Sequence, residues 1–175
     1  PGLGVDGSRI LSVLIHLNKP LSKGSVQIIS KDPSIKPIVN PNFLGEQADI
    51  DAVISAFKIA ARIIEGSFET SEYVTFHDYL AALGIPFPVP QTDEEIFQSY
   101  VLPTMGTAWH SCGTCAMGTS EESVVDAELK VHGITNLRVA DASVMPTIPR
   151  CNTMAPSILI GEMATEFILA DAKVS

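Results

Sequence analysis

The apolar positions change their period along the chain, and each change marks an element. Ile10 to Leu17 (ILSVLIHL) is a short apolar run with β-branched residues, and Ser25 to Ile29 (SVQII) follows beyond Pro20 and Gly24. Runs of this length bounded by turn residues predict two adjacent strands forming a hairpin. Asp32 to Phe43 carries three prolines and two asparagines, which block regular structure and predict an ordered loop. Beyond it, Ile50, Val53, Ile54, Phe57, Ala61 and Ile64 recur at three-and-four spacing. That spacing predicts a helix with one buried face, Asp49 capping its front and Gly66 closing its back. Residues 70–83 read as a second amphipathic helix. The proline-rich Ile85 to Pro90 then leads into Thr92-Asp-Glu-Glu95, a capping box that predicts the start of a third.

From Gly106 onward the texture shifts to short strands and tight turns: GTAWH, SCGTCAMG, then Leu129 to Gly133 and Leu137 to Asp141. The last element, Pro156 to Ala170, is a strongly apolar helix. Pro156 stands where an early helical position tolerates proline, and Asn152 or Thr153 just upstream is a candidate cap. No internal repeat or low-complexity segment interrupts the series. Short strands and amphipathic helices in this order predict an α+β fold, with helices packed on one face of a mostly antiparallel sheet.

Composition narrows the function classes. With 46% hydrophobic and 18% charged residues, the 175-residue chain has the make-up of compact globular structure. A net charge of -9 repels phosphate backbones, and no basic cluster offsets it, so nucleic acid is not an expected partner. No apolar run reaches the ~20 residues of a membrane span, and Pro1 onward lacks the basic-then-apolar start of a signal peptide. A membrane span is therefore not expected, and the compartment stays open. Three cysteines are too few for a disulfide scaffold and leave at least one thiol unpaired.

Four features carry possible chemistry. Gly2-Leu-Gly4-Val-Asp-Gly7 has the spacing of a dinucleotide-binding turn, but that turn works only between a strand and a helix, and Ile10 to Leu17 behind it reads as strand. Cys112-Gly-Thr-Cys115 has the spacing of a redox dithiol or half a metal site. A structural zinc needs four ligands and there is no second cysteine pair, although His110 and His132 could be proposed; two small cysteines packed in a tight glycine turn is the favoured reading, and no metal is expected. His110 stands between an apolar approach, Met105 to Trp109, and a glycine-rich turn where backbone can come close to a ligand; imidazole is the natural base near neutral pH. Asn152 reads first as a helix N-cap.

These last two gain meaning from their company. Trp109-His110-Ser-Cys-Gly113-Thr114-Cys-Ala-Met117-Gly118 is followed by Val124-Val-Asp126 and Val131-His-Gly133, then Leu137-Arg-Val-Ala-Asp141-Ala-Ser143-Val-Met-Pro146 and Asn152-Thr-Met-Ala-Pro156. Together, in this order and spacing, they resemble the C-terminal signature of the glucose-methanol-choline (GMC) family of FAD-dependent oxidoreductases. The hairpin with Gly24, the Asp32-Pro33 loop and the long helix extend the likeness over nearly the whole chain.

The resemblance implies a division of labour. Residues 1–108 correspond to the scaffold of the substrate domain. Residues 109–175 correspond to the catalytic histidine segment and a strand-turn-helix part that completes the FAD site. It implies His110 as the base toward a substrate hydroxyl and Asn152 as its catalytic partner. Asp141 and Ala142 then lie near the phosphate and ribityl portion of FAD, and Asn152, Thr153 and Met154 near the isoalloxazine ring. The expected partners are a small-molecule alcohol and an N-terminal FAD-binding half missing from this stretch, without which the chain is expected to be inactive. The electron acceptor is expected to depend on residues near Lys130 and Val131 and on that half. Cys151 departs from the pattern, since many relatives have glycine before the Asn. Because fold does not fix reaction, two rivals stand beside alcohol oxidation: a flavoprotein lyase or cyclase, and a non-catalytic module without its cofactor half.

Overall fold

The computed structural model describes residues 2–3, 9–10, 13–67 and 90–174. They gather into two compact units, one from residues 1–17 and 46–106 and one from residues 18–45 and 107–175. The class is α+β, with helices and small antiparallel sheets. Among the described residues, no helix is long and apolar enough to cross a membrane.

In the first unit, β1 (Gly2–Leu3) pairs antiparallel with β2 (Arg9–Ile10). The segment after Gly7 is thus strand and not the helix a dinucleotide turn requires. The periodic helix is α1 (Gln47–Ser67). Asp49 lies buried inside its first turn and not at the cap, and the helix runs on through Gly66. One glycine costs a helix only about 1 kcal/mol against alanine, too little to stop it. Ile54 is buried, and the Phe57 ring packs against Tyr100 with centroids 4.9 Å apart. The capping box forms as expected. Thr92 Oγ1 accepts the Glu95 N–H at 3.2 Å while the Glu95 carboxylate accepts the Thr92 N–H. It opens α2 (Asp93–Ile96), which widens into a π turn over Phe97–Val101 and ends in α3 (Leu102–Thr104). The wide turn precedes Pro103, which has no N–H to give to an ordinary helical ladder. Lys58 and Asp93 form an ion pair between α1 and α2. The helix expected over 70–83 and residues 85–89 of the proline-rich stretch lie outside the described residues.

The second unit corrects the expected hairpin. Residues 13–17 have no regular structure, and β3 (Ser25–Gln27) pairs instead with β4 (Ile38–Asn40), in the register Val26 to Val39. The stretch Asp32–Phe43 is therefore not loop throughout. Pro37 and Pro41 bracket a window free of proline that can join a ladder. The reversal comes from Asp32, whose Oδ1 accepts the Ser34 N–H at 2.9 Å. The strands expected over Leu129–Gly133 and Leu137–Asp141 shrink to isolated bridges, Lys130 to Arg138 between them and Val131 to Val125. Gly133 (φ 73°) and Asn136 (φ 60°) turn left-handed between them and interrupt the ladder.

The core of this unit is Val125, Leu129, Val144 and Ala164, with Met117, Val131, Ile160 and Phe167 packed around it. Ala164 belongs to α4 (Met154–Val174), whose Ile160, Ala164 and Phe167 present one stripe to that core. Arg138 and Lys130 hold the far end of α4 through Asp171, at 2.8 and 3.4 Å. The burial supplies the affinity and the ion pairs the alignment, since exposed pairs contribute at most about 1 kcal/mol each.

Candidate active site

Of the candidate residues, His110, Asn152, Thr153 and Met154 come together where α4 begins. The carbonyl of Thr153 accepts the Ser157 N–H at 3.0 Å, the first bond of the helix, so Thr153 and not Asn152 holds the N-cap position. Thr153 is buried, yet its hydroxyl is joined to His110 Nδ1 at 2.8 Å across 43 residues of sequence. This bond brings the Trp109-His110 turn onto the start of the final helix. Asn152 is exposed, and among the described residues its side chain caps nothing.

His110 is presented by a backbone under strain. Trp109 has φ of 61°, rare for a bulky side chain, and the residue is 85% exposed. The Trp109 N–H is held by Thr107 Oγ1 at 3.0 Å. Conformations of this kind cost about 1–3 kcal/mol, persist only where neighbours impose them, and concentrate at functional sites. What imposes this one is the segment that follows. Gly113 turns the chain at φ 89°, and then the N–H groups of Cys115 and Met117 donate to the carbonyls of Ser143 and Val144, both at 2.9 Å. His110 is thereby tied from one side to α4 and from the other to the 3₁₀ turn Ala142–Val144.

Asp141 caps that 3₁₀ turn through the Ser143 N–H, 2.8 Å from its Oδ1. The Ser143 hydroxyl and backbone N–H together hold its carboxyl below the usual carboxylate range. An ionised carboxylate repels phosphate but accepts from hydroxyl groups. Ala142 follows it, partly buried. Below the turn lies an open apolar hollow of about 240 Å³, lined by Met117, Val144, Met145, Pro146, Thr147, Pro149, Pro156 and Ile160. Cys112 and Cys115 are free thiols, and burial pushes the Cys112 thiol up from its ordinary value. Cys151 is exposed. Among the described residues, no three His, Cys, Asp or Glu side chains are grouped to hold a metal.

A planar cofactor ring with an electron-rich edge fits the donor set at α4. The N–H groups of Met154 and Ala155 precede the first intrahelical bond, and the positive end of the helix dipole points outward there. The exposed amide of Asn152 adds further donors, and Met154 (72% exposed) and Trp109 offer apolar surface to a ring. The hollow and the His110–Thr153 bond are what sequence reasoning missed. The proline cluster of residues 146–156 was the available signal for the first. For the second it was Pro156, which removes the N–H that a threonine at the N-cap would otherwise engage three residues on.

Comparison with known proteins gives this geometry a family. Residues 20–161 match the family model described as GMC oxidoreductase. An uncharacterised GMC-type oxidoreductase of Mycobacterium bovis is 38% identical over 151 residues, covering 85% of this chain and 27% of that protein. The alcohol dehydrogenase [acceptor] of Pseudomonas putida is 35% identical over 150 residues, covering 86% of this chain and 26% of its own length. Among solved structures, a variant of Aspergillus oryzae formate oxidase, studied for its FAD modification, superposes with a TM-score of 0.71 at 32% identity. It spans 88% of this chain and 26% of that one. The chain thus spans about a quarter of the length of the curated relatives it matches.

Proposed function

Since the chain belongs to the GMC oxidoreductase family, we propose that it forms the substrate side of an FAD-dependent enzyme oxidising a primary or secondary alcohol to a carbonyl. The observation that carries this is the bond between His110 and Thr153. It sets an imidazole against the N-cap threonine of α4, and Asn152 is the next residue upstream in sequence. In this reading residues 1–108 are scaffold, residues 109–175 carry the catalytic segment, and the strand-turn-helix from Leu137 to α4 completes the FAD site. Further support comes from the printed names of relatives, an alcohol dehydrogenase and a choline dehydrogenase among them.

FAD, when bound, supplies the hydride acceptor. Everything else falls to the chain. His110 takes the hydroxyl proton of the substrate on Nε2, the ring nitrogen that faces away from Thr153, as the carbinol hydrogen leaves with its electron pair and the carbonyl forms. Asn152 donates to the substrate oxygen and orients it. Met154 and the start of α4 would hold the ring, with the helix dipole favouring its electron-rich edge. Asp141 and Ala142 would lie near the phosphate and ribityl portion, where the ionised carboxylate suits the ribityl hydroxyl groups. The pyrophosphate needs a glycine turn between strand and helix, which we assign to polypeptide beyond this stretch.

His110→Ala in the full-length enzyme tests the base. Anaerobic flavin reduction by alcohols should slow by roughly 10²-fold or more with the flavin still bound, the usual worth of general base catalysis. Unchanged kinetics would remove His110 from the role. A flavin that no alcohol bleaches in the unaltered enzyme would favour lyase or cyclase chemistry instead.

A further inference from the structure

We infer that Trp109 is a specificity-determining residue, the platform on which the ring of an apolar, aromatic alcohol lies while His110 takes the hydroxyl proton. The inference rests on the base role given to His110 above, because Trp109 meets the substrate as the neighbour of that base.

Two unfavourable features coincide at this residue. Tryptophan carries one of the largest apolar surfaces of any side chain and is ordinarily buried for most of it. Trp109 is 85% exposed, while the core of its own unit is filled by Val125, Leu129, Val144 and Ala164. Its backbone stands at φ 61°, where glycine fits without strain and an indole-bearing residue does not. The Thr107 Oγ1 bond to its N–H, at 3.0 Å, braces that conformation. An outward indole on a strained backbone, one residue before an imidazole tied to the start of α4 at 2.8 Å, points to binding and not to packing.

The surrounding chemistry names the ligand. From Thr107 to Thr153, Trp109 is the only Trp, Tyr or Phe. That gives one π face and no aromatic cage of the kind that holds a quaternary ammonium. A sugar brings several hydroxyl groups, each needing a polar partner once removed from water, and the stretch Cys151 to Met154 offers one exposed amide, that of Asn152. Met154 goes with α4 to the cofactor ring, which leaves Trp109, on the His110 segment, for the substrate. A flat apolar ring bearing one carbinol matches this set: ring on the indole in an offset stack, oxygen toward Asn152, hydroxyl proton toward His110.

The test compares the full-length flavoprotein with Trp109→Gly, which removes the indole and suits the left-handed backbone, and with Trp109→Phe, which keeps a ring. For benzyl alcohol, kcat/KM should fall roughly tenfold or more in the glycine variant, the scale of a lost apolar contact. The loss should lie in KM, as for a contact made equally with substrate and transition state. For 1-propanol it should hold, and the phenylalanine variant should keep most of the preference for benzyl alcohol. Melting temperature without substrate should hold or rise in the glycine variant, since the strain is gone. A steep fall in melting temperature would assign the indole to packing, and loss of flavin would assign it to the cofactor; either overturns the inference. So does an unchanged preference for benzyl alcohol over 1-propanol, or, with no variant needed, an unaltered enzyme that prefers glucose to benzyl alcohol. Toluene has the ring without the hydroxyl, so its binding, read as a change in oxidised flavin absorption, tests the platform even where no alcohol is oxidised. It should weaken roughly tenfold in the glycine variant, and equal binding overturns the inference. Failure of the base role would show separately, as full activity of His110→Ala.

Discussion

Gly113 turns the chain between His110 and the 3₁₀ segment, and replacing it with alanine tests how tightly that turn is held. Two costs and one gain are countable. A side chain at φ 89° costs roughly 1–2 kcal/mol, and the new Cβ would sit 3.3 Å from the Met145 carbonyl oxygen, closer than ordinary contact. That carbonyl belongs to a buried residue whose N–H is bonded to Ala142, so its retreat adds about 1 kcal/mol of local strain. Against this, alanine narrows the unfolded ensemble and returns about 0.4–1 kcal/mol. The net loss is about 2 kcal/mol. Gly133→Ala provides the internal control, since its φ is 73° with nothing within 4 Å of the new Cβ; it should lose about 1 kcal/mol or less. Gly106→Ala, in open space and without a positive φ, should be neutral or slightly stabilising. Urea unfolding of the full-length protein, followed by circular dichroism, gives the order. If Gly133→Ala costs as much as Gly113→Ala, the carbonyl contact contributes nothing and the turn is looser than argued.

Val144→Ala removes two methyls from the sealed core beneath the 3₁₀ turn and widens the adjoining hollow; it should cost about 2 kcal/mol by the same unfolding assay, and a loss under 0.5 would mean that the core collapses to fill the gap. Asp126 is held below its ordinary 3.8, chiefly by the Lys130 N–H and then by the Glu128 N–H. A depressed carboxylate stabilises fully above 3.8 and loses its effect as the pH falls through the lower folded value, so melting temperature should drop more steeply below pH 4 in the parent than in Asp126→Asn; parallel curves would contradict this. Asn152→Ala, at an exposed side chain upstream of the cap, should slow flavin reduction and leave stability within about 0.5 kcal/mol. Equal losses in both would return Asn152 to a structural role. The 175-residue chain alone should not carry FAD through a desalting column, because ring-side contacts would have to offset the whole cost of association; one flavin retained per chain would show that the pyrophosphate half is dispensable.

Local signals were legible wherever a few adjacent residues decide the outcome. The capping box at Thr92 needs only Thr and Glu three apart, and the periodic stripe from Ile50 to Ile64 needs only its own spacing. Pairing was not legible, because a strand's partner is chosen by the whole unit. Ser25–Gln27 took Ile38–Asn40, a segment whose prolines argued against it, over the more apolar run before it. Asp49 and Gly66 show the same limit for boundaries: α1 runs past both punctuation marks. At the site, the motif residues were visible one by one, but the bond between His110 and Thr153 spans 43 positions and leaves no periodic trace.

Most of the site is irregular backbone, and that follows from what it must do. A strand or helix spends its N–H and carbonyl groups on its own ladder. The segment from Thr107 to Thr153 spends them across to neighbours instead: Cys115 to Ser143, Met117 to Val144, Val139 to Leu129. Each such bond fixes one loop against another, and all converge on the small core of Val125, Leu129 and Val144. The apolar side chains of α4 that this core does not cover, Ile158, Leu159 and Ile168 among them, remain exposed. A helix apolar on several faces has more than one of them to bury, and the core of Val125, Leu129 and Val144 covers the stripe of Ile160, Ala164 and Phe167 alone.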